Sequence, residues 1–214
     1  MTPETVVALL VFLFALAYSP GPGNAFFAAI GASRGLRAAV PALVGYHLAT
    51  LVVTAAIGLG VGVAVLQDPT VATVLALAGS LYVLWLALAF VRSARATPRE
   101  STGHEHPDGD AGGPARIGFW AGALVLLLNP KAYSIIAVMF VQFLTAPSAT
   151  DAGAVLTLTV VFTLNNLVAF VAWTAAGRAL GLLFRSERSR RWIDYGFAVI
   201  LAAVAIWMAV PVFT

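Results

Sequence analysis

Long apolar runs separated by short polar stretches make up most of this chain. Six of them are long enough to cross a bilayer as a helix, because a span needs about 20 predominantly apolar residues. They cover approximately residues 5–32, 38–66, 70–91, 117–146, 152–180 and 192–212. We therefore predict an all-α integral membrane protein with six transmembrane helices.

The long polar stretch at residues 93–116 lies between the third and fourth runs. It is rich in Gly, Pro, Asp and His, a composition typical of a solvated linker. It divides one transporter domain, residues 1–214, into two three-helix halves at 1–92 and 117–214. Three is an odd number, so the halves would cross the membrane in opposite directions, as in inverted-repeat transporters.

Proline interrupts two of the runs well inside the apolar stretch. The first run contains Ser19-Pro20-Gly21-Pro22-Gly23-Asn24, and the fourth contains Asn129-Pro130-Lys131. Proline lacks a backbone donor and clashes with the preceding turn, so each helix should unwind there and restart. Irregular backbone at membrane depth is tolerated only where it is buried in protein or lines a watery cavity. We predict that helices 1 and 4 are broken and that both breaks face a shared pocket.

The distribution of charge predicts the orientation. All eleven arginines lie in or beside the connections after helices 1, 3 and 5, whereas the remaining ends and loops carry only the acids Glu4, Asp68 and Asp151. The positive-inside rule then places the arginine-bearing loops in the cytoplasm and both chain termini outside.

Composition excludes several classes of protein. Hydrophobic residues make up 61% of the chain, charged residues 10%, and the mean hydropathy is +0.94, which is incompatible with a water-soluble globule. The net charge of +3 does not indicate nucleic-acid binding, because the positive charges interrupt apolar runs and form no surface stripe. Without cysteine there are no disulfides or thiolate metal sites. We find no nucleotide cradle or nucleophile–base constellation, so we expect neither enzyme activity nor a cofactor.

The two interrupted runs resemble those of the lysine-exporter (LysE/RhtB) family. Members of that family carry Pro-Gly-Pro in the first helix and Asn-Pro-Lys in the fourth, which stand here as Pro20-Gly21-Pro22 and Asn129-Pro130-Lys131. The resemblance implies a multi-pass protein of the bacterial inner membrane that exports amino acids, driven by the proton gradient. Related branches of the superfamily move heavy-metal cations.

The restarting half-helices are the predicted substrate site. Asn129 followed by Pro130 suits an N-cap and a first helical position, and a helix N-terminus favours an anion such as a substrate carboxylate. Lys131 is the only lysine, and a charge inside the bilayer is a functional candidate by default. The alternatives are that the prolines only kink packed helices and that Lys131 extends to an interface. The candidate substrate-binding residues are Pro20, Gly21, Pro22, Asn24, Asn129, Pro130, Lys131 and Asn166.

Two residues are candidates for proton coupling. One is Lys131. The other is His47, which shares a helix face with Thr50 and Thr54 and titrates near physiological pH; the alternative is a histidine that only packs. Asn166 belongs to a polar stripe with Thr159 and Thr163. These side chains either line a cavity or form hydrogen bonds between helices.

Three functional hypotheses follow. The first is a secondary transporter that exports amino acids; neutral substrates are favoured because no acid is predicted inside the bilayer to pair with a cationic side chain. The second is a divalent heavy-metal exporter, although the loop His104–Asp110 fits no established metal site. The third is a non-transporting membrane scaffold. The sequence identifies neither the substrate nor the oligomeric state; a homo-oligomer is one possibility.

Overall fold

A computed structural model describes residues 2–19, 21–60, 68–95, 118–144, 152–183 and 186–213. Within these ranges the chain forms helices and no strand. The helices are α1 (Pro3–Ala17), α2 (Pro22–Arg34), α3 (Leu36–Gly58), α4 (Pro69–Arg95), α5 (Phe119–Leu127), α6 (Pro130–Phe143), α7 (Ala152–Leu183) and α8 (Glu187–Phe213).

The helices account for six membrane spans when each bent pair is taken as one. The four helices α3, α4, α7 and α8 are individually long and apolar enough to cross a bilayer. The pair α1 and α2 bends by 66°, and the pair α5 and α6 bends by 63°. The prediction of an all-α multi-pass membrane protein with breaks in the first and fourth spans is therefore confirmed. The inverted relation between the two halves stays a prediction.

Proline determines where four of the helices begin. Pro3, Pro22, Pro69 and Pro130 each occupy the first position of a helix, where the missing N–H would have no intrahelical partner anyway. Before Pro69, the Asp68 carboxylate accepts a hydrogen bond from the Thr70 backbone N–H at 2.7 Å. This bond holds the pKa of the exposed Asp68 carboxyl below its usual value, so the N-cap is charged at neutral pH.

Two helix ends differ from the apolar runs in the sequence. The second run extends to residue 66, but α3 ends at Gly58 and the chain turns through Gly60, whose φ is +78°. Glycine adopts this left-handed conformation without steric cost. In contrast, α4 continues to Arg95, three residues into the predicted linker, and arginines in a last turn suit the negative end of a helix. Residues 61–67, the rest of the linker and His104–Asp110 lie outside the described residues.

Packing forms two apolar clusters on either side of the breaks. The larger one is formed mainly by α2, α3, α4, α5 and α8, with one residue each from α6 and α7, and its fully buried members include Phe26, Ile30, Leu126 and Leu201. The smaller one is formed mainly by α1, α6 and α7, with one residue from α3, and includes Leu9, Leu13, Ile136, Met139 and Leu158. The breaks lie between these clusters.

Candidate functional site

The first break is closed by Asn24. Helix α1 ends at Ala17, whose carbonyl accepts a 2.8 Å hydrogen bond from the Asn24 side-chain amide. Gly21 is the N-cap of α2, in an extended conformation and without a side-chain capping bond. The N-terminus of α2, which is the positive end of the helix dipole, therefore points at the break. No capping side chain accepts a hydrogen bond from its first N–H groups.

The second break has a side-chain cap. The Asn129 side chain accepts a 3.1 Å hydrogen bond from the Lys131 backbone N–H, and the Asn129 carbonyl accepts a 3.0 Å bond from the Ala132 N–H. Asn129 is therefore the N-cap of α6 and Pro130 its first residue, as the sequence predicts. Because these two N–H groups are occupied, α6 offers a ligand mainly the field of its dipole.

Lys131 connects the two breaks. Its ammonium donates hydrogen bonds to the hydroxyl of Ser19 at 2.8 Å and to the Ser19 carbonyl at 3.3 Å, and the side chain is partly buried. Gly21 lies close beside it, since a Cβ added there would stand 3.2 Å from the Lys131 Nζ. One ammonium group is thus held where both interrupted spans meet.

A small cavity of about 30 Å³ lies at this meeting point. It can hold about two water molecules, since one needs roughly 10–15 Å³. None of its lining residues is acidic. Half of the lining residues are polar or belong to the irregular backbone of the first break: Gly21, Pro22, Asn24, Tyr46, Asn129, Lys131 and Asn166. The other half are apolar: Leu13, Leu16, Ala17, Ala132, Ile135, Phe162 and Phe170.

Tyr46 is a central residue that the sequence interpretation missed. Its hydroxyl interacts with the side chains of Asn166 and Asn129, and its ring packs edge-on against Phe170 with centroids 4.5 Å apart. Ser19, the partner of Lys131, was also missed as a site residue. The available signals were the position of Tyr46 next to His47 and that of Ser19 at the start of the first break.

His47 lies beside the cavity without lining it. The imidazole is buried, and its Nδ1 atom hydrogen-bonds to the Leu43 carbonyl at 2.7 Å. A carbonyl only accepts, so Nδ1 carries the proton. Nε2 is buried and makes no hydrogen bond of standard geometry among the described residues, and besides the Leu43 carbonyl the ring also interacts with the Asn166 backbone. The ring stands 5.3 Å from Tyr46 and 5.7 Å from Phe170, measured between centroids.

The two ends of the protein are closed in different ways. Towards the arginine-rich end, glycines bring backbones into direct contact: an added Cβ would stand 1.9 Å from the Phe119 carbonyl at Gly45, and 2.0 Å from the Ala28 carbonyl at Gly177. In the described part of the opposite end, side chains of the smaller cluster, such as Leu13 and Met139, fill the space between the helices. Side chains can change rotamer, whereas backbone contacts separate only when whole helices move apart.

Most of the predicted site residues are brought together. Gly21, Pro22, Asn24, Asn129, Lys131 and Asn166 line the cavity, and Pro130 begins the adjoining helix. Pro20 lies outside the described residues. In the part of the chain that the structure describes, no three potential metal ligands are grouped, so no observation favours the metal-exporter hypothesis.

Comparison with known proteins gives one consistent result. The family model for the LysE type translocator matches residues 14–211. The chain is 29% identical to the cysteine/O-acetylserine efflux protein of Escherichia coli O139:H28, 28% identical to that of strain K12, and 26% identical to that of Salmonella typhi. Each of these matches covers the full length of both proteins. No solved structure matches the chain. With its helical breaks and with this match over most of its length, the chain belongs to the LysE family of translocators.

Proposed function

We propose that this translocator exports a small neutral amino acid from the cytoplasm, of the kind named for its cysteine/O-acetylserine relatives, by alternating access. The observation that carries the proposal is the convergence of both interrupted spans and the Lys131 ammonium on one buried cavity. The efflux activity in the names of the full-length relatives supports the direction and the substrate class.

The substrate carboxylate would bind at the break. Lys131 stands at the start of α6, where the positive end of the helix dipole disfavours a cation, and α2 directs a second positive end at the same place. An anionic group bound there would offset the repulsion between the Lys131 ammonium and the positive ends of both helices. All amino acids carry a carboxylate, so this contact would recognise amino acids as a class and would not distinguish one amino acid from another.

The remaining wall favours a neutral side chain. The lining has no carboxylate to pair with a second positive charge, and leaving a cationic side chain unpaired at this depth would be costly. The substrate ammonium can bind to carbonyl oxygens of the first break and to the faces of Tyr46 and Phe170. The amides of Asn24 and Asn166 suit a small polar side chain.

Transport requires the cavity to widen, because about 30 Å³ is too small for any amino acid. We infer that the described conformation is closed, and that α1 and α6 move first. Among the described residues, these two half-helices pack through side chains of the smaller cluster, which can separate without breaking the glycine-mediated backbone contacts at the arginine-rich end. By the positive-inside rule this end faces outside, so opening there would release the substrate.

Proton coupling is assigned to His47 within this proposal. Its buried Nε2 can take up a proton next to Tyr46, which in turn interacts with Asn129 and Asn166, two of the three asparagines of the cavity wall. We predict that His47→Gln flattens the pH dependence of export, because glutamine can bond the Leu43 carbonyl but cannot titrate. Export measured between pH 5.5 and 8 tests this; an unaltered pH profile in the variant would remove His47 from coupling.

The proposal is tested by measuring amino acids outside cells that overproduce the protein. The wild type should raise extracellular cysteine, O-acetylserine or another small neutral amino acid, and Lys131→Ala should abolish the increase while still inserting. Arg95→Gln is the matched control, since Arg95 is an exposed cation at a helix end, away from the cavity. Efflux by Lys131→Ala equal to that of the control would refute the proposed site.

A further inference from the structure

A second cavity, of about 380 Å³, opens at the arginine-rich end of the protein. It shares no lining residue with the cavity at the breaks. Its wall is formed by Arg34, Gly35, Leu36, Arg37 and Arg178. Three of these five residues carry a guanidinium, and none carries a carboxylate.

The tight turn between α2 and α3 positions two of the arginines. Helix α2 ends at Arg34, and α3 begins at Leu36, so Gly35 alone makes the connection. Its φ of +81° is a left-handed value that suits glycine, and its N–H bonds back to the Ile30 and Gly31 carbonyls. Arg34 and Arg37 therefore stand on either side of a defined turn.

The third arginine belongs to α7, which packs directly on α2. A Cβ added to Gly31 would stand 2.0 Å from the Thr174 carbonyl and 3.1 Å from the Arg178 backbone nitrogen. The two helices run parallel, since Ala28 meets Gly177 and Ala32 meets Gly181. This backbone contact holds Arg178 in place opposite the turn, so the arrangement of the three cations exists before any ligand binds.

We propose that this basic cavity binds a phosphate group and that an anionic phospholipid headgroup supplies it. The guanidinium group forms paired hydrogen bonds with phosphate oxygens, and basic pockets between membrane helices on the cytoplasmic side bind lipid headgroups. Exposed apolar side chains continue the faces of these arginines along their helices, with Val40 three residues after Arg37 on α3 and Val171 seven residues before Arg178 on α7. These side chains provide a surface for the acyl chains of a lipid, which free phosphate lacks.

A bound headgroup would connect the α2–α3 turn to α7. That junction lies at the end closed by glycine-mediated backbone contacts. The lipid therefore stabilises the closed arginine-rich end and leaves the opposite end free to open. Its effect is regulatory: the lipid binds outside the transport pathway and favours one conformation of the carrier.

The test measures lipid binding to the purified full-length protein in a non-ionic detergent. Thermal unfolding is followed with added phosphatidylglycerol, phosphatidylcholine or inorganic phosphate. Phosphatidylglycerol should raise the melting temperature of the wild type and phosphatidylcholine should not. Each of Arg37→Gln and Arg178→Gln should weaken the apparent lipid affinity about fivefold, from the typical contribution of one basic residue near an anionic surface.

Arg92→Gln and Arg95→Gln are the matched controls, because these arginines lie near the end of α4 and do not line the cavity. Arg178→Lys keeps the charge but loses the paired hydrogen bonds of the guanidinium, so it should bind the lipid more tightly than Arg178→Gln and more weakly than the wild type. A response to inorganic phosphate as strong as that to the lipid supports the phosphate site but overturns its lipid source. The proposal fails if neither ligand raises the melting temperature, or if control and cavity variants lose the response equally.

Discussion

Tyr46, in the first half of the chain, joins two polar side chains of the second half. It lies on α3 and interacts with Asn166 of α7 and with Asn129, the cap of α6. Inside a membrane protein, buried polar groups need such partners because no water replaces them. The hydroxyl of one residue thereby couples the second break to the wall of the cavity.

We predict that Tyr46→Phe weakens the apparent substrate affinity at least about fivefold, because each buried amide left without its partner costs roughly 1–3 kcal/mol. Uptake or export assays at several substrate concentrations measure this. Tyr82→Phe is the control, since its hydroxyl donates to the Ala121 carbonyl at 3.1 Å away from the cavity. Equal effects of the two substitutions on affinity would contradict a binding role for Tyr46.

At the scale of helices, glycine contacts determine which elements pack most closely. The carbonyl of Ala42 on α3 would stand 1.8 Å from a Cβ at Gly122 on α5, so no other residue fits there without moving a helix. Small residues at such interfaces let the backbones of two helices touch. The van der Waals packing gained there is a main source of attraction between helices in lipid. The arginine-rich end depends on several of these contacts.

We predict that Gly122→Ala lowers the stability of the protein by about 1–3 kcal/mol, the usual cost of overpacking. Gly196→Ala on α8 is the matched control, because an added Cβ there meets nothing within 4 Å. That substitution should be neutral or stabilising by about 0.5–1 kcal/mol, since alanine favours helix more than glycine does. Thermal unfolding in detergent compares the two; a Gly122→Ala protein as stable as Gly196→Ala would contradict the close packing.

Elements that depend on local chemistry could be predicted from the sequence, and those that depend on tertiary packing could not. Apolar run length indicates the spans, and proline position indicates the breaks, because both act through neighbouring residues. The Asn129 cap follows for the same reason. The contact between Tyr46 and Asn166 and the pairing of α2 with α7 involve residues far apart in sequence, which local sequence patterns do not indicate.

At the scale of the whole molecule, charge separates the two ends. Arg34, Arg37 and Arg178 gather around one cavity, whereas Glu4 and Asp68 stand at helix starts on the other side of the breaks. By the positive-inside rule we expect this arginine-rich end to lie in the cytoplasm. In that orientation the opposite end, filled by side chains of the smaller cluster, would be the exit for the substrate.

We predict that an impermeant maleimide labels Glu4→Cys in intact cells and does not label Arg95→Cys. The chain has no cysteine, so each variant carries a single thiol, and cells that produce the cysteine-free wild type measure the background labelling. Permeabilised cells serve as the control, because both positions are exposed and should then react. Labelling of Arg95→Cys alone in intact cells would reverse the orientation and with it the direction of opening.

Equilibrium binding of substrate to the purified protein tests the central claim most directly, because it isolates the cavity from coupling and orientation. A small neutral amino acid identified by the efflux screen should bind at one site per chain. Loss of a charge-assisted hydrogen bond costs roughly 1.5–3 kcal/mol, so Lys131→Ala should bind at least about tenfold more weakly, while Arg95→Gln should bind like the wild type. Binding by Lys131→Ala as tight as that of the wild type would contradict a substrate site at the meeting point of the two broken spans.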